Sequence, residues 1–295
     1  MVGQNRLELL MFALKGKQLY GINVFKVREV IQCPPLTKLP GCNPVVKGVA
    51  QIRSQAISVI DLSMAVGGPS VGKTEDCFVI ITEYNRKTQG FLVNGVERIV
   101  NMRWSDILPP PKGTGKSHYL TAVTKVDETL VEILDVEKIL SELSPNNSSV
   151  SQGILDQNSS EKYQGKYVLI ADDSSVARNQ IKSTVEQLGY QTRIFKDGLS
   201  CHLHLKNIVA EGRNIDEEVL LLISDIEMPE MDGYTLTAEI RNNPGLKHLY
   251  VVLHSSLSGV FNQAMVEKAG ANDFIAKFNP DELAQAIQKR MNVTK

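Results

Sequence analysis

The sequence predicts two domains, an all-β half followed by an α/β half with a parallel sheet. In residues 1–143, short strand patterns recur with glycine and proline at their junctions, which is typical of small barrels. In residues 166–295, strand and helix patterns alternate, which indicates a parallel sheet covered by helices on both faces. Between them, residues 144–165 are mostly polar and turn-forming, and we expect a flexible linker there.

Composition narrows the class of protein. Of the 295 residues, 42% are hydrophobic and 22% charged, and a net charge of −1 offers no basic excess for nucleic acid. No stretch approaches about 20 apolar residues, so we expect no direct membrane insertion. The first residues lack the basic-then-apolar layout of a signal peptide. The cysteines show no CxxC spacing, and reduced thiols in a cytoplasmic protein are expected.

In the first half, runs of apolar residues between turn formers predict short strands. These strands are expected at residues 7–14, 18–22, 48–52, 56–61, 77–83, 89–93 and 130–134. The segment Lys15-Gly16-Lys17 is typical of a hairpin turn between the first two. Residues 24–30 and 136–143 are predicted to be helices.

In the second half, strands are predicted at residues 167–171, 190–195, 219–224, 250–254 and 273–276. Ser174 suits the N-cap of a helix that runs to Leu188 and ends at Gly189. A last helix is predicted from residue 280 or 281 to about 291. The polar stretch 211–218 is predicted to be an exposed loop before the third strand.

Polar residues follow these strands at their carboxyl ends. Asp172 and Asp173 close the first strand, and Asp225 closes the third. Ser255 follows the fourth and Lys277 the fifth. Open parallel sheets bind ligands at this edge. Gathered carboxylates repel one another and need a divalent cation, while a hydroxyl and a lysine suit the oxygens of a phosphoryl group.

Residues 166–295 resemble a response-regulator receiver domain, because they match each functional position of that family in the same order. The matching residues are Asp172, Asp173, Asp225, Met228, Pro229, Asp232, Gly233, Ser255, Phe274 and Lys277. The resemblance implies a (βα)5 flavodoxin-like fold with Mg2+ as cofactor. It also implies that Asp225 attacks a phospho-imidazole in line and becomes an acyl phosphate.

The resemblance implies the ligands of the metal as well. Asp173 and Asp225 are expected to bind Mg2+ through their side chains, Asp172 through a water molecule, and Glu227 through its backbone carbonyl. These oxygen ligands are the kind that Mg2+ prefers. Glu227 also adds a carboxylate two residues past the nucleophile, and we expect it to change the lifetime of the acyl phosphate. Equal dephosphorylation rates in wild type and Glu227→Asn would contradict this.

The remaining receiver residues are expected to act on the phosphoryl group and on its signal. Lys277 neutralises charge on the transferring oxygens. Ser255 hydrogen-bonds the phosphoryl group, and Phe274 follows as an aromatic switch. The chain departs from the family where Ser256 replaces the usual alanine and Phe278 the usual proline after the lysine. Serine at 255 also stands where threonine is commoner.

The first half, from about residue 6 to 143, resembles a CheW-like coupling domain. The matching segments are residues 19–30, 46–54, 57–61, 90–96, 119–123 and 130–135. The resemblance implies a pair of five-stranded barrels without catalytic activity. That family joins the cytoplasmic tips of chemoreceptors to the regulatory domain of the histidine kinase CheA. The family's glycine is replaced here by Ser54, whereas Arg53 is kept.

The same resemblance implies the residues that contact partners. They are Arg53, Val27, Glu29, Gly48, Val93 and Val96. Arg53 is favoured because interface hot spots are rich in arginine. For the three valines, packing in the core is the alternative, and for Glu29 a solvated surface.

A CheW-like domain followed by a receiver resembles the CheV family of chemotaxis coupling proteins. It implies a scaffold at membrane-associated receptor arrays, phosphorylated from the phosphohistidine of CheA, for adaptation or as a phosphate sink. A rival is an aspartyl-phosphate phosphatase of the haloacid dehalogenase type. That class needs a second aspartate two residues past a nucleophile on the first strand, but this chain has Glu227 after the third. A transcriptional regulator is disfavoured because no recognition helix is found.

Overall fold

The computed structural model describes residues 6–84, 87–109, 119–143, 150–155, 165–255, 260–277 and 279–292. The chain divides into two compact units, residues 1–145 and 146–295. The finer domain boundaries at residues 143 and 166 stay predictions. The predicted linker falls partly outside the described residues, at 144–149 and 156–164.

The N-terminal unit is built almost wholly of strands. They are β1 (Arg6–Ala13), β2 (Leu19–Asn23), β3 (Val27–Gln32), β4 (Val46–Ile52), β5 (Gln55–Asp61), β6 (Phe78–Tyr84), β7 (Lys87–Val93), β8 (Gly95–Arg103), β9 (Ile107–Leu108), β10 (Leu120–Val126) and β11 (Thr129–Leu134). Among the described residues of this unit, helices form at α1 (Leu62–Ala65) and α2 (Val136–Leu143). Single 3-10 turns lie at Val24–Lys26, Thr74–Asp76 and Trp104–Asp106.

The strands form two sheets whose end strands approach each other. One has the order β8-β1-β2-β11-β10-β9 and the other β3-β6-β7-β5-β4. In the first, β9 continues β8 after one 3-10 turn, so a single stretch of chain supplies both end strands. In the second, Thr37, which follows β3, pairs with Val49 of β4. The predicted fold of five-stranded barrels is confirmed, with two-residue β9 as an addition.

Side chains on both faces of the sheets are buried. On β6, Ile80 packs with Phe12 of β1 in a core shared by the two sheets. Its neighbours Val79 and Ile81 point the other way and pack with Val59 inside the second sheet. Because successive strand residues face opposite sides, this apolar run fills two cores at once.

The prediction of a helix over residues 24–30 is wrong. A 3-10 turn occupies Val24–Lys26, and β3 then pairs antiparallel with β6. Along β3, half-buried residues alternate with exposed ones, and β-branched residues favour that pleated surface. Strand β8 was not predicted because its side chains are exposed or half-buried and give little apolar signal.

The described residues of the C-terminal unit form five strands with helices between them. The strands are β12 (Tyr167–Ala171), β13 (Gln191–Phe195), β14 (Val219–Asp225), β15 (Val251–Ser255) and β16 (Asp273–Ala276). The helices are α3 (Gln152–Leu155), α4 (Ser175–Gln187), α5 (Gly198–Ala210), α6 (Ile215–Glu218), α7 (Gly233–Asn242), α8 (Val260–Ala269) and α9 (Pro280–Asn292).

The five strands are parallel and follow the order β13-β12-β14-β15-β16. This is the flavodoxin-like order, which confirms the predicted fold. One face packs against α4 and α9 through residues such as Ile181 and Ile287. The other packs against α5, α7 and α8 through Leu205, Leu236 and Val266. The sheet is therefore covered on both sides, as the strand–helix alternation predicts.

Local signals in this unit are largely confirmed. The Ser174 hydroxyl caps α4 by accepting a hydrogen bond from the Ala177 backbone N–H. Gly189 follows the helix with a φ of +85°, a conformation that glycine adopts without strain. The prediction of an exposed loop over 211–218 is wrong at its end, because α6 forms there and Ile215 is buried.

Residues 150–155, here called the strap, lie within the predicted linker but pack on the C-terminal unit. Val150 is buried among apolar residues of α4 and α9. The Ser151 N–H and hydroxyl donate to the two carboxylate oxygens of Asp281, at 2.8 and 2.7 Å. The Gln288 side chain donates to the Ile154 carbonyl at 2.9 Å. Two apolar residues in a polar stretch therefore anchor this segment to α9.

Candidate functional site

Polar side chains converge at the carboxyl ends of the parallel strands. Asp172 follows β12, and Asp225 ends β14. Ser255 ends β15, and Lys277 follows β16. All four residues are buried. Parallel strands end at a common edge, so the register of the sheet alone brings these distant positions together.

Lys277 links the two buried aspartates. Its Nζ atom lies 2.7 Å from Asp225 Oδ2 and 3.1 Å from Asp172 Oδ2. The lysine side chain is only 4% exposed, so water screens these ion pairs very little. Opposite charges at these distances hold the lysine beside the carboxylate that is predicted to be phosphorylated.

The environment of Asp225 opposes its ionisation. Burial raises the pKa of its carboxyl, and the carboxylates of Asp173 and Glu227 raise it further, while the ammonium of Lys277 lowers it. The balance leaves the pKa above the ordinary value for aspartate. Burial is the largest of these effects, and it outweighs the attraction of Lys277 for the ionised carboxylate.

The loop that carries the acidic pair is held by hydrogen bonds. Asp172 Oδ1 accepts from the Ser174 backbone N–H at 2.7 Å. Arg178, one turn into α4, donates from Nη1 to the carbonyls of Asp172 at 2.6 Å and Asp173 at 2.8 Å. Sequence reasoning missed Arg178, whose only signal is its place in the first turns of a helix that begins beside the site.

The identities of the residues in the loop after Asp225 also have a structural reason. A Cβ atom on Gly233 would lie 2.2 Å from the Asp225 carbonyl oxygen, so only glycine fits there. The Gly233 N–H donates to the Ile226 carbonyl at 2.9 Å. Asp232 caps α7 by accepting from the Thr235 N–H at 2.7 Å. This pair folds the loop back beneath the site.

The donors present fit a divalent cation. Asp172 and Asp225 offer buried carboxylates, and the carboxylates of Asp173 and Glu227 lie near enough to act on the pKa of Asp225. Oxygen ligands of this kind suit Mg2+. A dication beside these carboxylates would favour the ionised form of Asp225 and so lower this pKa.

His254 is a buried member of the same cluster that sequence reasoning missed. Strand pairing places it next to Asp225. Its Nε2 atom lies 3.3 Å from Asp172 Oδ2, and ligand atoms of Asp172, Asp225 and His254 all lie within 4.8 Å of one another. The available signal was a histidine at the end of an apolar strand, directly before Ser255.

Ser255 and Phe274 lie on neighbouring strands beside the cluster. The backbone carbonyl of Ser255 accepts from the Lys277 N–H at 2.8 Å. Phe274 is half-buried and packs against the apolar core beneath α5, α7 and α8. Ser256 and Phe278, where the chain departs from the receiver pattern, lie outside the described residues.

In the N-terminal unit, the structure brings together two of the predicted contact residues. Arg53 Nη2 lies 2.9 Å from Glu29 Oε2, and the Arg53 side chain is 75% exposed. Arg53 and Ser54 form the two-residue turn between β4 and β5, with φ values of 46° and 67°. Both non-glycine residues are thus in the left-handed region, which is strained for them. This turn presents the exposed guanidinium of Arg53 at the end of a barrel.

The other predicted contact residues have packing roles. Val93 is fully buried, and half-buried Val27 and Val96 pack against the same core. Gly48 is buried with a φ of +154°, and a Cβ there would meet the Thr37 carbonyl oxygen at 2.5 Å. Glycine at 48 is therefore required by the close approach of Thr37.

Comparisons with known proteins agree with this division. Residues 8–144 match the CheW-like domain family, and residues 168–288 match the response regulator receiver domain family. Chemotaxis protein CheV3 of Helicobacter pylori is 31% identical over 97% of this chain and 94% of its own. The chain belongs to the CheV family. As a CheV family member, it is a chemotaxis coupling adaptor that carries a receiver domain.

Two solved structures are also similar to parts of this CheV family member. The scaffolding protein TtCheW from Thermoanaerobacter tengcongensis is 27% identical, covering 45% of this chain and 87% of its own, with a TM-score of 0.42. The receiver domain of sensor histidine kinase PA1611 from Pseudomonas aeruginosa is 23% identical, covering 43% and 98%, with a TM-score of 0.38. That receiver has a magnesium ion coordinated in its active site cleft. Among the helices described here, none is long and apolar enough to cross a membrane.

Proposed function

We propose that this protein couples chemoreceptors to the histidine kinase CheA and is regulated by phosphorylation of Asp225. The observation that carries the proposal is the contact of Lys277 with Asp225, at 2.7 Å, beside the buried carboxylate of Asp172. A nucleophile, a cation for the transferred oxygens and an acidic neighbour for a metal lie at one sheet edge. This is the set of groups that phosphoryl transfer requires.

The covalent bonds that change in the transfer lie on Asp225 and the donor. A carboxylate oxygen of Asp225 attacks the phosphorus of a phosphohistidine in line, a P–O bond forms, and the P–N bond breaks. The electron pair of that bond stays with the imidazole of CheA, which takes up a proton from solvent. The chain thus accelerates its own modification and the later loss of phosphate, and acts on no separate substrate.

The surrounding residues position charge around the transferred group. Bound Mg2+ supplies positive charge to the phosphoryl oxygens. We assign its ligands as the side chains of Asp173 and Asp225, Asp172 through water, and the Glu227 carbonyl. The ammonium of Lys277 stabilises the negative charge that develops on the phosphoryl oxygens.

The signal is proposed to leave the site through Ser255 and Phe274. A phosphoryl group on Asp225 attracts the Ser255 hydroxyl, which draws the end of β15 inward. Phe274 sits on the adjacent strand and is half-buried, so it has space to change rotamer as that strand end moves. The pairing of β15 with β16 supports this route.

The coupling half is proposed to contact CheA and the cytoplasmic tips of chemoreceptors. Exposed Arg53, paired with Glu29, supports a polar contact at the end of the second barrel. Val27, Val96 and Gly48 would shape that surface from below, and Val93 would act only through packing. We propose that the protein acts at receptor arrays in the cytoplasm.

Phosphate transfer from labelled CheA tests the proposal. Wild type is expected to become labelled in Mg2+ and to lose the label slowly, whereas Asp225→Asn gains none. Asp61→Asn is the matched control, because Asp61 is also a buried aspartate but caps α1 in the N-terminal unit. Label on Asp225→Asn, or none on wild type, would refute the assignment.

Two downstream roles, adaptation and a phosphate sink, are separated by a second experiment. Kinase output is measured in reconstituted arrays with wild type and with Asp225→Ala. An adaptation role predicts that coupling changes with phosphorylation of Asp225. A sink role predicts changed phosphate flow with unchanged coupling.

A further inference from the structure

A buried histidine stands beside the acidic residues and has no part in the chemistry proposed above. His254 lies on β15, and its side chain is 2% exposed. Val252, two residues earlier on the same face, belongs to the apolar core against α4 and α9. An imidazole buried there costs free energy unless a polar partner compensates it, whereas an aliphatic side chain would not.

The partner that the geometry offers is Asp172. The His254 Nε2 atom lies 3.3 Å from Asp172 Oδ2, and both side chains are buried. A carboxylate oxygen only accepts hydrogen bonds, so this contact is attractive when Nε2 carries a ring proton. That form of His254 is the one that can orient Asp172.

Asp172 is contacted from several sides. Its Oδ1 atom accepts from the Ser174 N–H at 2.7 Å, while Lys277 Nζ lies 3.1 Å from Oδ2. Lys277 is shared with Asp225, at 2.7 Å. Once its ammonium turns to the phosphoryl oxygens, its hold on Asp172 weakens. His254 is not among the groups proposed to bind the phosphoryl oxygens, so its contact with Asp172 does not compete with them.

We propose that His254 is a positioning residue for the cation site. It holds the Asp172 carboxylate in the orientation from which this group serves a divalent cation bound beside Asp225. The inference rests on the function proposed above and extends it to a residue outside the receiver pattern. Groups that orient metal-binding carboxylates and histidines generally contribute 10–100-fold to metal affinity.

The test is Mg2+ affinity of the full-length protein, measured by titration calorimetry without a phosphoryl donor. His254→Leu removes the donor, and His254→Met is a second apolar variant in case leucine does not fit. His254→Gln keeps an N–H donor at about the reach of Nε2. His202→Leu is the matched control, because His202 is a buried histidine on α5, away from the acidic residues. Circular dichroism melting establishes that each variant is folded.

The expected result is a Kd for Mg2+ about 10–100-fold higher in the folded apolar variants. His254→Gln and His202→Leu are expected to bind Mg2+ nearly as wild type does. Wild-type affinity in a folded apolar variant overturns the inference, and so does an equal loss in His254→Gln, since that would indicate packing alone. Failure of the proposed function has a different signature, namely a wild type that binds Mg2+ and accepts no phosphoryl group at Asp225.

Discussion

Charged residues are buried at the candidate phosphoryl site of the receiver half and exposed at the candidate contact surface of the coupling half. Lys277, Asp172 and Asp225 lie within a few ångströms of one another with almost no exposure to solvent. Arg53 and Glu29 form a pair of similar length, but the arginine is 75% exposed. Water screens the second pair and hardly reaches the first.

This difference decides what each charge contributes. In the receiver, each buried charge is paired with another residue of the same chain. Substituting one of these residues therefore alters the charge on its partners directly. In the coupling half, the exposed guanidinium gains its energy only when a partner removes water from it. The following experiments are ordered from the largest expected effect to the smallest.

Lys277→Met should have the largest effect. It removes the positive charge from two buried aspartates, and the rate of phosphoryl acceptance from CheA should fall about 10²–10³-fold. Rapid-quench transfer of labelled phosphate measures this. Lys289→Met is the matched control, because Lys289 is also paired with an aspartate, Asp273 at 2.9 Å, but is 59% exposed. A normal rate in Lys277→Met would contradict a role for this buried lysine in phosphoryl acceptance.

Arg53→Ala should weaken binding to the regulatory domain of CheA by about 2 kcal/mol, or about 30-fold, as interface arginines often do. Its pair with Glu29 is exposed, so the free energy of unfolding should change by less than about 1 kcal/mol. Calorimetric binding and thermal melting measure the two effects. Arg103→Ala, another exposed arginine near an aspartate, is the control. Equal losses of affinity in both variants would exclude a specific contact.

Mg2+ binding should depend on pH in the receiver. The raised pKa of Asp225 means that its carboxyl keeps a proton at a higher pH than an ordinary aspartate does. Mg2+ must displace that proton, so affinity should fall, by up to about tenfold per pH unit, as pH drops below this pKa. Calorimetry in two buffers of different ionisation enthalpy should show proton release. Binding without proton release would contradict the raised pKa.

Ser54→Gly should have the smallest effect. Ser54 has a φ of 67°, and glycine relieves this left-handed strain, so stability should rise by about 1 kcal/mol. Glu128→Gly tests the same reasoning in the matching turn between β10 and β11, where Glu128 has a φ of 64°. Chemical denaturation measures both. A loss of stability in both variants would show that the present residues stabilise these turns in another way.

The receiver fold could be predicted because its signals are local. The five predicted strands agree with the structure to within about one residue, since each is a short buried run bounded by turn formers. The polar residues at their ends could be predicted to converge, because parallel strands end at a common edge. The N-cap at Ser174 is likewise set by residues within one turn of it.

What sequence reasoning missed depends on contacts between distant residues. Residues 24–30 suited a helix, but β3 forms because β6 lies about 50 residues further on to pair with it. His254 could not be connected to Asp172 without the register of three strands. The burial of Val93 was left open for the same reason. Each miss reflects a partner that adjacent sequence does not reveal.

The strap reduces the number of residues that are left in the predicted linker between the two halves. The predicted linker has 165 − 144 + 1 = 22 residues, but docking of Ser151 on Asp281 leaves 150 − 144 = 6 residues of it before the strap. The strap thereby shortens the part of the predicted linker that precedes the receiver half. Breaking the bonds between Ser151 and Asp281 would return residues 150–155 to that linker.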